Sequence, residues 1–185
     1  MKLTEVQEEE HRAIEEALDI LEKIGNKFEK DEEVDPEDIG DILDFLRTFA
    51  DECHHGKEQD LLYTALEMKG ISRKNSPIGL LTREHEICRN FIWNMERALE
   101  DYRGGDRTAK KDILQNAEAY IELLSQHIDK EDQLLYPMAE ERIPEEDKEE
   151  LRDAFDRFEK EVIGEGVHEE YHEKIKGLKE KFNEA

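Results

Sequence analysis

Two stretches of this chain repeat a set of side chains able to hold a metal ion. His54 and Glu58 stand four residues apart, as do His127 and Glu131. Each pair lies in a near copy, Lys57-Glu58-Gln59-Asp60-Leu61-Leu62-Tyr63 and Lys130-Glu131-Asp132-Gln133-Leu134-Leu135-Tyr136, displaced by 73 residues. On a helix, residues four apart share one face about one turn apart, close enough for an imidazole and a carboxylate to bind one ion. The repeat continues upstream, where Glu10-His11-Arg12 and Glu84-His85-Glu86 are offset by 74. His55 is an extra imidazole, about 100° round the helix from His54. With Glu58 between them, His54 and His55 can reach different ions. Mixed imidazole and carboxylate ligation suits iron, and manganese or zinc also accepts such donors. Carboxylates that bridge two ions, a role that suits Glu58 and Glu131, let two like charges lie a few ångströms apart.

These residues need four helices that bring them to one level. In an antiparallel arrangement each turn falls midway between the histidines it separates. The midpoint of His11 and His54 lies within Lys30-Asp31-Glu32-Glu33-Val34-Asp35-Pro36, that of His54 and His85 at Lys69-Gly70, and that of His85 and His127 beside Gly104-Gly105-Asp106. These are the strongest turn signals before residue 140. Leu3, Val6, Ile14, Leu18, Leu21, Ile24 and Phe28 stripe a first helix over about 4–30. Asp35 and Pro36 start a second that runs to Gly70, and Ser76-Pro77 starts a third that ends near Gly104. A fourth runs from about Asp106 to Tyr136, where Pro137 ends or kinks it. After Pro144, Leu151, Phe155, Phe158 and Val162 mark a fifth helix, Gly164-Glu165-Gly166 breaks it, and a last amphipathic helix spans Val167 to Phe182. No stretch alternates with period two. The reading is all-α: an up-down four-helix bundle over residues 1–140, with a C-terminal helical extension over 141–185 packed on it. Leu61, Leu62, Leu134 and Leu135 are expected in the core, and Glu8-Glu9-Glu10 in solvent.

Composition narrows the partners. A net charge of −24 over 185 residues argues against nucleic acid and anionic membranes, which need clustered positive charge. No apolar run of membrane-spanning length occurs, and Met1-Lys2-Leu3-Thr4-Glu5 has no apolar leader core, so a cytoplasmic location is expected. Cys53 and Cys88 show no CxxC spacing and read as free thiols, small core residues in a reducing compartment. With no nucleophile elbow and no glycine-rich phosphate loop, nucleophilic catalysis is disfavoured.

The full set resembles the hemerythrin-like, or HHE cation-binding, domain. The likeness rests on His11; His54-His55-Gly56-Lys57-Glu58 followed by Leu61-Leu62-Tyr63; Glu84-His85; and His127-Ile128-Asp129-Lys130-Glu131-Asp132 followed by Leu135-Tyr136-Pro137. It covers residues 1 to about 140. It implies a non-haem di-iron centre, oxo- or hydroxo-bridged, with His11 and His54 on one iron, His55, His85 and His127 on the other, and Glu58 and Glu131 between them. Oxygen-carrying hemerythrins have an HxxxH pair on the third helix, whereas here Arg89 stands four residues after His85 and Leu81 four before. They also end with HxxxxD, for which Asp132 is present, although the internal repeat favours Glu131.

The pattern matches the H-HxxxE-H-HxxxE subgroup instead, in which the residue after the second-helix histidine can be a ligand. His55 would then replace the missing imidazole. The resemblance implies binding of O2 or peroxide in sensing, storage or detoxification. Two other readings stand beside it: a catalase-like enzyme that decomposes peroxide, and a module that reports iron or oxygen to a protein partner. Gly164-Glu165-Gly166-Val167-His168-Glu169-Glu170-Tyr171-His172 resembles a C-terminal segment common in stand-alone HHE proteins. There His168 leans over the bundle mouth as a further ligand or proton donor. The alternative is an exposed HxxxH, His168 and His172, at a polar helix start.

Overall fold

The computed structural model describes residues 2–183, so Met1, Glu184 and Ala185, at the outer ends of the two expected segments, lie outside the described residues. Helix α1 is Glu5–Glu29. Helix α2 runs over 36–68, α-helical at Pro36–Phe45 and Tyr63–Met68, with wide π-type turns at Leu46–His55 and Glu58–Leu62. Helix α3 is Pro77–Arg103. Helix α4 runs over 109–142, with a π-type stretch at Glu131–Leu135 between Ala109–Lys130 and Tyr136–Arg142. Helix α5 runs over 145–163, Glu145–Phe158 and then π-type turns at Glu159–Ile163, and α6 is Val167–Asn183. No strand occurs among the described residues.

The first four helices close a ring in which α1 packs on α2 and α4, and α3 packs on α2 and α4. Local chemistry sets the starts. The Asp35 carboxylate accepts the Glu37 backbone N–H at 3.0 Å, and Pro36 fills the first helical position. Ser76 departs from the expected cap: its hydroxyl is buried without a partner among the described residues, and α3 begins on the fixed backbone angle of Pro77.

Pro137 does not end α4, which continues to Arg142. The proline follows directly on the Glu131–Leu135 stretch, where the hydrogen-bond register already widens to i→i+5, so its missing N–H interrupts little. The leucine expectation is also corrected. Leu62 and Leu135 are fully buried, whereas Leu61 is half-buried and Leu134 is 54 % exposed, because the helix turns only one of each adjacent pair inward.

Two apolar clusters fill the bundle. The larger includes Ile14, Leu21, Ile42, Phe49, Met95 and Leu124; the smaller includes Leu3, Leu62, Tyr63, Leu81, Leu135 and Tyr136. A buried polar layer lies between them. The C-terminal pair joins both clusters, Phe155 of α5 the smaller and Ile175, Leu178 and Phe182 of α6 the larger. Each such side chain contributes roughly 1.5–3 kcal/mol by leaving water.

Gly56 lets α5 approach α2: a Cβ there would stand 2.9 Å from the Phe158 ring. Gly164 (φ 123°) and Gly166 (φ 82°) make the reversal into α6 through backbone angles that other residues avoid. Among the described residues no helix is long and apolar enough to cross a membrane.

Candidate metal centre

Ordinary helical spacing turns adjacent residues to different faces, yet His54 and His55 are both buried. The wide turns of Leu46–His55 hold an extra residue per turn and bring both rings inside, their centroids 5.5 Å apart. His11, His85 and His127 meet them from the other three helices, with Glu58 and Glu131 one turn along α2 and α4. All seven side chains are essentially without solvent exposure.

Each imidazole is held by its Nδ1. His54 Nδ1 donates to Glu10 at 2.9 Å, His85 Nδ1 to Gln59 at 2.8 Å, His127 Nδ1 to Glu84 at 2.9 Å and His11 Nδ1 to Asp132 at 2.9 Å. Each helix thus anchors the histidine of the next, and α4 closes the ring onto α1. His55 Nδ1 donates to Asp51 of its own helix at 3.3 Å. A donating Nδ1 leaves Nε2 with a free lone pair, the tautomer a metal requires.

The Nε2 atoms converge. His85 Nε2 and His127 Nε2 lie 2.9 Å apart, His127 Nε2 is 2.9 Å from Glu131 Oε1, and His11 Nε2 is 3.2 Å from Glu131 Oε2. Glu58 Oε2 stands 3.6 Å from His85 Nε2 and 3.8 Å from His54 Nε2. Two donor groups result, each with its ligand atoms within 4.8 Å of one another: His11, His54, Glu58 and Glu131; and His55, Glu58, His85 and His127. Glu58 belongs to both.

The donor set fits a cation. His54 Nε2, His55 Nε2 and Glu58 Oε2 are buried and have no hydrogen-bond partner among the described residues. Lone pairs left bare in a dry interior are costly unless an electrophile takes them up.

The electrostatics agree. Burial and the nearby charge of Glu131 push the Glu58 carboxyl well above its ordinary range. Burial would raise Glu131 too, but His127, His11 and His85 hold it well below. Burial drives His54 down to about 4. Burial also opposes charge on His11, yet Asp132 and Glu131 lift it to about 9. The metal-free layer therefore carries protons that bound cations would displace.

Two phenols cross the site. Tyr63 donates to Glu131 Oε1 at 3.2 Å and Tyr136 to Glu58 Oε1 at 2.8 Å, so the tyrosine of each helical pair holds the carboxylate of the other. Burial lifts both phenols well above their ordinary range, and each stays a donor.

Around the layer stand residues that spacing alone left unassigned. Glu10, expected in solvent with Glu8 and Glu9, is instead buried, bonded to His54 and to the buried ammonium of Lys57. Glu84 bonds His127 and Lys130 in the same way. Arg89 donates from Nε to Asp51 at 2.9 Å and from its Nη2 to Gln59 at 2.8 Å, bracing the partners of His55 and His85. His55 stacks on His85, the centroids 3.9 Å apart. Asp132 is half-exposed and turned to His11 Nδ1, outside both donor groups. Repetition could have revealed these, since Glu10 and Glu84, Lys57 and Lys130, and Gln59 and Asp132 occupy equal places in the two copies.

His168 does not join the seven donors. Its Nε2 lies 3.2 Å from Glu10 Oε1, one carboxylate removed from His54, and its ring packs on Phe49 and His172. Glu10, Glu159 and His168 also cluster, but the Lys57 ammonium already bonds both carboxylates. Cys53 and Cys88 are buried free thiols.

Compared with known proteins, the chain matches the family model of the hemerythrin HHE cation binding domain over residues 2–139. No curated protein and no solved structure matches it.

Proposed function

Because the chain belongs to the hemerythrin HHE cation-binding family, we propose that its buried layer holds two iron ions and binds O2 or peroxide, in sensing, storage or detoxification. His11 and His54 would hold one ion, His55, His85 and His127 the other, and the carboxylates of Glu58 and Glu131 would be shared between them, in an oxo- or hydroxo-bridged pair. Manganese or zinc would accept the same donors. Iron at this position would supply a redox-active Lewis acid.

The observation that carries the reading is the set of five Nδ1 hydrogen bonds, four of which form the ring between helices, that turns five buried Nε2 atoms into one layer. The chain's own residues do the rest. The ring fixes tautomer and orientation; the apolar clusters on both sides exclude bulk water; Tyr63 and Tyr136 hold the carboxylates and keep donor protons beside them. His168 acts through Glu10 and not as a ligand. Buried free thiols at Cys53 and Cys88 accord with a reducing, cytoplasmic setting.

Metal content per chain, with an ultraviolet-visible spectrum before and after oxygen or peroxide, tests the proposal. About two irons and charge-transfer bands that respond to either reagent are expected. One zinc, or no metal, would overturn it.

The paired phenols favour a second reading, peroxide decomposition, since buried O–H donors stand at both bridging carboxylates. Rapid peroxide loss that disappears in Glu58→Ala would select it.

A further inference from the structure

Outside the seven donors, Gln7, Ser76 and Tyr120 keep buried polar atoms without a hydrogen-bond partner among the described residues, and of these three Gln7 alone leaves both a donor and an acceptor group bare. Gln7 has no solvent exposure, and both its amide nitrogen and its amide oxygen lack a hydrogen-bond partner among the described residues. It lies on the inward line of α1 that continues through Ile14, Leu21 and Phe28.

Its level follows from the antiparallel ring. One turn before His11 on α1 is Gln7; one turn after His54 on α2 is Glu58; one turn after His127 on α4 is Glu131. Helix α1 packs against both α2 and α4, so Gln7 sits at the height of the two carboxylates. Tyr136 confirms how near these elements run: its hydroxyl is 3.1 Å from His11 Nε2 and bonds Glu58 Oε1. The equivalent place on α3, one turn before His85, is Leu81, fully buried in the apolar cluster. One side of the carboxylate level therefore carries an amide and the other a hydrocarbon.

Resting on the metal-site reading above, we propose that Gln7 forms a seat for a small protic oxygen ligand on the α1 side of the layer. The class is water, hydroxide or hydrogen peroxide. A carboxamide with both its donor and its acceptor unused matches a ligand that accepts and also donates; dioxygen would use the donor alone. A buried unsatisfied amide is disfavoured without such an occupant. Leu81 offers no matching seat, so the ligand enters one side only, and Gln7 decides which. Gln7 is a positioning and specificity residue here, not a metal ligand.

The test compares iron-loaded full-length protein with its Gln7→Leu and Gln7→Met variants. Leu copies the opposite side of the layer, and unbranched Met serves if Leu packs poorly. Iron content and the urea midpoint of the metal-free protein are measured first, then the hydrogen peroxide concentration that half-saturates the early spectral change in rapid mixing. The expected result is iron content at the wild-type level, an undiminished urea midpoint, and a half-saturating concentration about tenfold higher, the loss of one hydrogen bond. An unchanged peroxide response in iron-loaded variants would overturn the seat and leave the metal reading intact. Iron lost from the variants would assign Gln7 to metal retention instead. Wild-type protein that takes up no iron would overturn the metal reading and the seat together.

Discussion

The two halves of the layer share one sequence pattern and differ in what covers them. In the first, Glu10, Lys57 and His54 are sealed: the Lys57 and Glu10 side chains are 0 % and 1 % exposed, and Glu159 and His168 close over them. In the second, Glu84, Lys130 and His127 repeat the same bonds, but Lys130 is 27 % exposed. The first copy has His55 where the second has Ile128, His55 joins the donor group of His85 and His127, and Arg89 braces its partner Asp51 from outside. The difference teaches that a duplicated motif fixes which atoms meet, while its environment is decided by elements outside the repeat. Here those elements are α5 and α6, which cover one half.

The largest effect should come from the residue common to both halves. Glu58→Ala is expected to reduce bound metal from about two ions to fewer than one, read by elemental analysis. Retention of one ion would mean that the halves bind independently, and would break the comparison.

Next comes the residue that makes the halves unequal. His55→Ala should leave one tightly held ion, that of His11 and His54, with a changed spectrum. Unchanged stoichiometry and spectrum would remove His55 from the ligand set.

Coverage predicts a third difference. Glu10→Ala leaves the Lys57 ammonium buried with Glu159 as its remaining carboxylate partner among the described residues and should destabilise the metal-free protein by about 3 kcal/mol. Glu84→Ala leaves Lys130 free to turn into water and should cost about 1 kcal/mol. Each should also weaken metal binding about 10–100-fold, as loss of an anchoring partner does. Equal urea midpoints for the two variants would show that α5 and α6 do not matter to the first half.

The smallest effect concerns how the cover is attached. Asp44 of α2 accepts hydrogen bonds from Tyr171 at 2.9 Å and Lys174 at 3.0 Å of α6. Burial opposes its charge, but Lys174, Tyr171 and Arg47 hold its pKa below the ordinary 3.8. A depressed carboxylate contributes stability above its unfolded value and loses it as pH falls through the folded one. Protease sensitivity of α6 should therefore rise below about pH 4, and Asp44→Asn should show that sensitivity at neutral pH as well. A variant whose α6 resists protease like the wild type would detach this contact from the cover.

Much of this was legible in the residues. The bundle followed from histidine spacing, because turns must bisect antiparallel pairs, and six of the seven candidate donors stood in the repeat, with His55 an extra beside His54. What spacing could not show was rotation about each helix axis. Whether Glu10 faces water or His54 depends on the neighbouring helix, and four of the five Nδ1 partners come from the preceding helix in the ring. The wide turns were invisible for a related reason: they are a choice of hydrogen-bond register, and no single residue announces them. That choice carried α4 past Pro137 and brought His54 and His55 inside together.

The crossed phenols have a consequence for descent. Tyr63 grips Glu131 and Tyr136 grips Glu58, so each helical pair supplies the fastening for a carboxylate in the other. Two copies bound in this way cannot diverge as separate lineages would. A substitution at Tyr63 is first felt at Glu131, and among related sequences changes should arise in the pairs 63 with 131 and 136 with 58, tying the history of one repeat to that of its twin.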